Sequence, residues 1–244
     1  MGCSQEIKNL LDFDFDPQMP AWAKRLAVFD LETTGLDLNT SRIVTACVAV
    51  INQNGETESV SEWLVNPGIE IPEAASRVHG VTTEVAREKG AEPASSVREI
   101  VELLRSLNLE MPLVAFNASY DFSILRSEAL RYSLEPLDPK PVIDPLVIDR
   151  KLERYRSGKK NLATLTTIYK VELSDAHNST ADAVAAGQLA QRMAAKYPEL
   201  DIDLGELHDL QARWADEWQL SMQEFLKKQN RPDFRAELGW PIKN

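Results

Sequence analysis

Three β-prone runs that follow one another at short intervals limit the options of this chain more than any other feature. LAVFDLE starts at Leu26, IVTACVAVI at Ile43 and ESVSEWLVN at Glu58. A Gly-containing turn and a few polar residues are all that separates them, which predicts an antiparallel meander. The pattern changes after Pro93. Residues 96 to 107 repeat apolar side chains at Val97, Ile100, Val101 and Leu104, a helical period, and Ser96 with Glu99 reads as a capping box at its start. LVAF, residues 113 to 116, predicts a buried strand, DFSILRSEALRYS a helix, and PVID, residues 141 to 144, another strand. The remainder to Tyr197 reads as helices, with Gly158 in a connecting loop. Strands in a meander, then strands alternating with helices, give an α/β fold: a mixed five-stranded sheet flanked by helices.

The two ends read differently. Residues 1–23 mix acidic and apolar side chains without a period and contain Pro17 and Pro20, so they form a lead-in to the domain at 24–197. Residues 198–244 form a C-terminal extension. Within it LGELHDLQARWADEWQLSMQEFLKK places Leu207, Trp214, Trp218, Met222 and Phe225 at helical intervals, an amphipathic helix expected to pack back on the domain. The apolar run at Ile43–Ile51 is far shorter than the ~20 residues of a membrane span. MGCSQEIKNL lacks an export pattern, and Cys3 and Cys47 are too few for a disulfide framework or a zinc site, so a cytoplasmic, reducing location is expected, with no membrane partner.

Chemistry enters through the acids. Asp30 and Glu32 sit two apart at the end of a strand, so both leave the same face where an apolar segment meets a turn. Asp121 falls where a strand gives way to a helix, on a stripe with Ile124, Leu125 and Tyr132, and a helix-capping role is its plainer reading. Asp182 aligns with Ala185, Ala186, Leu189 and Met193, the apolar face of its helix, and no Lys or Arg lies within one turn. An ionised carboxylate there is costly unless paired or bound to metal. Ser179 is the natural cap of that helix, and His177 precedes it. Four inward-aimed carboxylates suit Mg²⁺ or Mn²⁺ better than zinc and can hold two cations ~4 Å apart for phosphoryl displacement. Imidazole can take a proton from the attacking water at neutral pH.

At these residues the sequence resembles the DnaQ-like exonucleases of the DEDDh class, with a ribonuclease H-like fold, and is most similar to the DNA polymerase III epsilon branch. FDLETTG (29 to 35), FNASYD (116 to 121) and HNSTAD (177 to 182) match the three ordered motifs. The resemblance implies 3′-to-5′ hydrolysis of single-stranded nucleic acid ends to mononucleotides, DNA ahead of RNA, with two Mg²⁺ or Mn²⁺ per site. It implies Asp30, Glu32 and Asp182 as direct metal ligands, Asp121 holding the second metal through water, and His177 as general base. Thr33, His79 in VHGVT and Asn117 would touch substrate. Two positions depart from the family pattern: Ser179 stands where Ala or Gly is usual, and Glu73 is one residue out of step with the acidic substrate contact before VHG. QLSM, residues 219 to 222, resembles a sliding-clamp peptide, and the branch implies a polymerase partner, although Leu220 and Met222 also read as helix packing. An exoribonuclease trimming RNA ends, and a non-catalytic module docking through the terminal helix, are the alternatives.

A net charge of −11, from 27 Lys and Arg against 38 Asp and Glu, argues against a surface that grips a polyanion everywhere. RKLERYRSGKK, residues 150 to 160, gathers Arg150, Lys151, Arg154, Arg156, Lys159 and Lys160. It reads equally as a local phosphate-binding stretch or as a solvated helix face.

Overall fold

The meander forms as the sequence predicts. In the computed structural model, which describes residues 19–173, 177–231 and 233–243, β1 (Leu26–Thr33), β2 (Ile43–Ile51) and β3 (Thr57–Leu64) pair antiparallel in succession. Then come α1 (Glu73–His79), α2 (Thr83–Lys89) and α3 (Pro93–Asn108), followed by β4 (Leu113–Val114), α4 (Ala118–Arg131), β5 (Val142–Ile143) and α5 (Pro145–Leu152). α6 (Leu162–Tyr169), α7 (Ser179–Lys196) and α8 (Leu204–Lys228) complete the order. The sheet runs β3-β2-β1-β4-β5, with β4 and β5 parallel to β1.

Strand alternation splits the core into two layers. Ala27, Phe29 and Leu31 face the core shared with α3 and α4, while Leu26 and Val28 face the one shared with α7. By the same parity Asp30 and Glu32 point to the α7 side. Gly187 lets α7 approach the sheet, because a Cβ there would run into Val28 and Ile51.

Local chemistry moves several boundaries. α3 starts at Pro93, and its cap is Glu92, whose carboxylate accepts the N–H groups of Ala94 and Ser95 at 3.0 and 2.8 Å. Proline at the first helical position favours this earlier start. Ser96 is therefore inside the helix, its hydroxyl turned back to the Glu92 carbonyl, and the expected capping box does not form. α7 is capped by Asn178, whose side-chain oxygen reaches the N–H groups of Thr180 and Ala181. That corrects the assignment of the cap to Ser179, which is buried as the first helical residue.

The C-terminal helix does pack back, and it does so partly through polar side chains. β5 is an edge strand, and α8 lies along its open edge. The Val142 N–H donates to His208 Nδ1 at 3.1 Å, the Val142 carbonyl accepts from Gln211 Nε2 at 3.0 Å, and the Asp144 N–H donates to Gln211 Oε1 at 2.7 Å. Two side chains thus stand in for a missing neighbour strand. At the other end Trp22 is buried and its indole N–H donates to the Leu200 carbonyl at 2.9 Å. Residues 1–18 of the lead-in, Cys3 included, lie outside the described residues. No helix among the described residues is long and apolar enough to cross a membrane. Cys47 is a buried free thiol.

Candidate active site

β1 outruns β4, and the site occupies the gap. β4 pairs with β1 only at Ala27 and Val28, which leaves the last part of β1 without a parallel neighbour. The Leu31 N–H finds a partner in Asp121 Oδ1 at 3.1 Å. Asp121 is buried in the first turn of α4, so it does not serve as the helix cap. The cap position is Asn117, in the left-handed region at φ 62°, with no side-chain cap bond.

From the opposite side α7 brings Asp182 and the residue before its cap, His177. Oxygen or nitrogen atoms of Glu32, His177 and Asp182 all lie within 4.8 Å of one another. The His177 N–H donates to Asp182 Oδ2 at 3.2 Å, with His177 at φ 70° and its side chain exposed. The local turn therefore ties the backbone that carries the imidazole to the end of α7 that carries Asp182.

Asp30 and Asp121 fall outside that ligand-distance trio, and what ties them to it is the nearness of their charges. Burial pushes the Asp30 carboxyl well above the ordinary carboxylate range, and the charges of Asp121, Asp182 and Glu32 push it the same way. Burial, then Asp182, raises Glu32 to about 7. Burial also raises Asp121, against the pull of the Leu31 N–H, with Asp144 and Glu32 adding to the rise. Carboxylates about 90 and about 150 residues apart in the chain converge, and no Lys or Arg among the described residues offsets these shifts. Like charges this close persist only with protons or cations among them. An all-oxygen donor set beside one imidazole fits divalent metal, and the residues present fit that group.

The expected substrate residues surround this cluster. Thr33 is buried, its hydroxyl donating to the Gly35 carbonyl at 2.7 Å and lying 2.6 Å from the Tyr120 hydroxyl, which also reaches Gly35. His79 is half-buried rather than a surface histidine: Nδ1 accepts the Val81 N–H at 3.2 Å, and burial lowers its pKa while the Thr33 backbone opposes that. Asn117 is exposed at the rim. Glu73 is exposed and pairs with Arg77.

The basic stretch fits neither expectation fully. Arg156 and Lys160 turn inward to the fully buried Asp149 at 2.6 and 2.7 Å, and Lys151 pairs with Glu217 at 2.9 Å. Arg156 and Lys160 hold the loop after α5 in place, and Lys151 ties α5 to α8.

Two contributors were not expected from sequence. Asp144 is buried, caps α5, and accepts the N–H groups of Asn117 and Ala118 at 3.0 and 2.9 Å, so it fixes the start of α4 and with it Asp121. The Trp240 indole N–H donates to the same carboxylate at 3.2 Å. An Asp directly before Pro145 is a helix-start signal that sequence alone offers. Tyr120 was the other, a neighbour of Asp121 with no pattern to mark it.

The exonuclease family model (RNase_T) matches residues 27–190, a stretch that holds every acid of the cluster and His177. This chain belongs to the exonuclease family. Among curated relatives it is 30% identical over 163 residues to a DNA polymerase III PolC-type protein of Streptococcus mutans serotype c, covering 66% of this chain and 10% of the relative. A PolC-type protein of Caldanaerobacter subterraneus subsp. tengcongensis is 29% identical over 175 residues, 72% of this chain and 12% of that one. This exonuclease thus spans about a tenth of the curated relatives it matches. Exonuclease I of E. coli in complex with a dA16 oligonucleotide has a similar fold, with TM-score 0.63 at 20% identity, over 73% of this chain and 42% of that one. So does the nuclease domain of 3′hExo, a DEDDh family member bound to rAMP: TM-score 0.62, 14% identity, 75% of this chain and 98% of that one.

Proposed function

We propose that this exonuclease removes nucleotides singly from the 3′ ends of single-stranded DNA, using two Mg²⁺ or Mn²⁺ ions in a reducing, cytoplasmic setting. The observation that carries the reading is the convergence of Asp30, Glu32, Asp121 and Asp182 beside His177. Asp30, Glu32 and Asp182 would hold the cations directly and Asp121 the second one through water. When bound, the cations neutralise these acids and offset the charge that develops on the scissile phosphate. His177 takes the proton of the attacking water, whose oxygen bonds to phosphorus as the bond to the 3′ oxygen of the shortened strand breaks. That oxygen leaves with a proton from solvent, giving a nucleoside 5′-monophosphate and a new 3′ hydroxyl. Thr33 anchors the Gly35 turn through Tyr120, and His79 and Asn117 complete the rim around the terminal nucleotide.

DNA is placed first because the curated relatives are named as DNA polymerases and E. coli exonuclease I is described with a DNA oligonucleotide. The same names support a polymerase partner. A clamp contact through residues 219 to 222 would use Leu220, which is 47% exposed on α8. The second reading, exoribonuclease action, is favoured by a neighbour described with rAMP.

Purified protein incubated with matched 3′ single-stranded DNA and RNA, with Mg²⁺, Mn²⁺ or chelator, tests the reading. Stepwise DNA loss that chelator abolishes is expected. Faster RNA loss selects the second reading, and no hydrolysis of either overturns both.

A further inference from the structure

Asn117 and Tyr120, next to Asp121, line an open groove of about 440 Å³ that Leu36, Arg150, Trp218 and Lys243 also line. Arg150 and Trp218 in turn line a larger groove of about 860 Å³ between α5, its following loop and α8, reaching Tyr155. The two grooves meet at one pair of side chains. There the Arg150 guanidinium lies over the Trp218 ring, 3.6 Å from its centroid. Lys151, Arg156 and Lys160 nearby are held by carboxylates. Among the described residues Arg150 has no ion pair of that kind; burial lowers its pKa, and the charges of Asp144 and Asp149 oppose that only in part. Tyr155 is 93% exposed, an aromatic ring in water with no core to fill.

We propose that this continuous surface carries the strand upstream of the 3′-terminal nucleotide, with bases on the Arg150–Trp218 platform and on Tyr155. The proposal rests on the exonuclease reading of the acidic cluster and adds where the rest of the substrate lies. Its physical basis is general. Aromatic faces accept any base, and a guanidinium between them engages phosphate, so stacking platforms bind single strands without reading sequence. In a chain of net charge −11 a polyanion is best held where cations are left unneutralised; of the four that line the larger groove Lys151 and Arg156 are paired with Glu217 and Asp149, while Arg150 and Arg154 have no ion pair among the described residues. On the α8 wall Glu217 is neutralised by Lys151, and Glu224 repels the backbone toward Arg150 and Arg154. Trp218 and Lys243 lie beyond the residues that match the family, so the C-terminal extension supplies one wall of the path.

The test is length dependence. In the full chain with Mn²⁺, kcat/KM is measured for dT3 and dT12 in wild type, Trp218→Ala, Trp218→Phe, Arg150→Ala and Tyr155→Ala. The wild-type ratio of dT12 to dT3 should be well above one, fall about tenfold in Trp218→Ala, and be restored by Trp218→Phe. Tyr155→Ala should lower it too, and its exposure means the fold is not at stake. Binding of fluorescein-labelled dT12 in chelator, followed by anisotropy, gives the same comparison without catalysis, so it stands even if hydrolysis fails. A ratio near one in wild type, or equal ratios and equal dT12 binding in all five proteins, would overturn the proposal and leave the groove to a protein partner.

Discussion

The backbone N–H of Leu31 donates to Asp121 Oδ1 at 3.1 Å, across the gap that opens where β1 extends beyond β4. One carboxylate therefore does two jobs: it completes the hydrogen bonding of a strand and adds negative charge to a cluster already in excess. The two jobs separate by mutation. Asp121→Asn keeps an acceptor for Leu31 and removes the charge, so it should melt above wild type in chelator while losing on the order of 10²-fold or more in hydrolysis. Asp121→Ala leaves the N–H unpaired and should cost ~1–3 kcal/mol of stability. Denaturation curves in chelator, paired with activity in Mn²⁺, distinguish the two variants. An Asp121→Asn protein no more stable than wild type would argue against the crowding of charge.

Glu32 sets a pH dependence. Its carboxyl is raised to about 7 by burial and Asp182, and Asp30 and Asp121 are raised as well. An acid whose pKa is raised by folding keeps a proton that the unfolded chain gives up. Its stabilisation is therefore complete below the unfolded value of about 4.5 and lost as pH climbs through about 7. Metal-free protein should melt lower at about pH 8 than at about pH 5.5, and the gain on adding Mn²⁺ should be larger at the higher pH, because cation and protons compete for the same oxygens. Glu32→Gln should flatten both trends. Melting scans with and without Mn²⁺ at the two pH values check it.

Gln211 bonds both the Asp144 N–H and the Val142 carbonyl from a fully buried position on α8. Gln211→Ala strands both groups at the edge of β5 and should cost about 3 kcal/mol. The damage should reach the site, because Asp144 holds the first N–H groups of α4. Trp240→Phe removes only the indole donor to Asp144 and should cost about 1.5 kcal/mol. Urea titrations of both proteins measure these costs, and a Gln211→Ala protein as stable as wild type would mean that water replaces the amide.

The acids of the candidate site were legible as a set more than singly: Asp30 and Glu32 at a strand end and Asp121 at a helix start each have a plain structural reading, and Asp182, on a stripe of Ala, Leu and Met, is the one that breaks its local pattern. The meander was legible for a similar reason, three β-prone runs with too little between them for anything else. Supports were harder to see. Gln211 and His208 look like ordinary polar residues of an amphipathic helix, and only the edge of β5 gives them a purpose. Arg156 and Lys160 read as a surface cluster because their partner, Asp149, lies in a helix where sequence shows no reason for burial. Periodicity records which face is apolar and says little about polar groups that meet across the fold.

His177 stands apart from the acids in what its loss should do. Its N–H, a backbone group, bonds Asp182, and its ring is exposed. His177→Ala should cost roughly 10²- to 10⁴-fold in kcat and little in Mn²⁺ affinity. Calorimetric titration with Mn²⁺ alongside single-turnover rates checks both halves. Lost metal binding would make the residue a ligand rather than a base.

Gly187 tests whether α7 must sit where it does. The helix carries Asp182 one turn and a half before this residue, and a Cβ at 187 would overlap Val28 of β1 and Ile51 of β2. Alanine is otherwise the better helix former by about 1 kcal/mol, so helix propensity alone predicts a gain. Overpacking predicts the opposite, a loss of typically 1–3 kcal/mol, as the side chains shift or the helix lifts from the sheet. Lifting would draw Asp182 away from Asp30 and Glu32, so Gly187→Ala should lose activity beyond its loss of stability, measured well below its melting point. Gly187→Ala paired with Val28→Ala makes room for the methyl group and should recover part of the activity. A Gly187→Ala enzyme as active and as stable as wild type would mean that the close approach of α7 to the sheet is not what sets the distance between the acids.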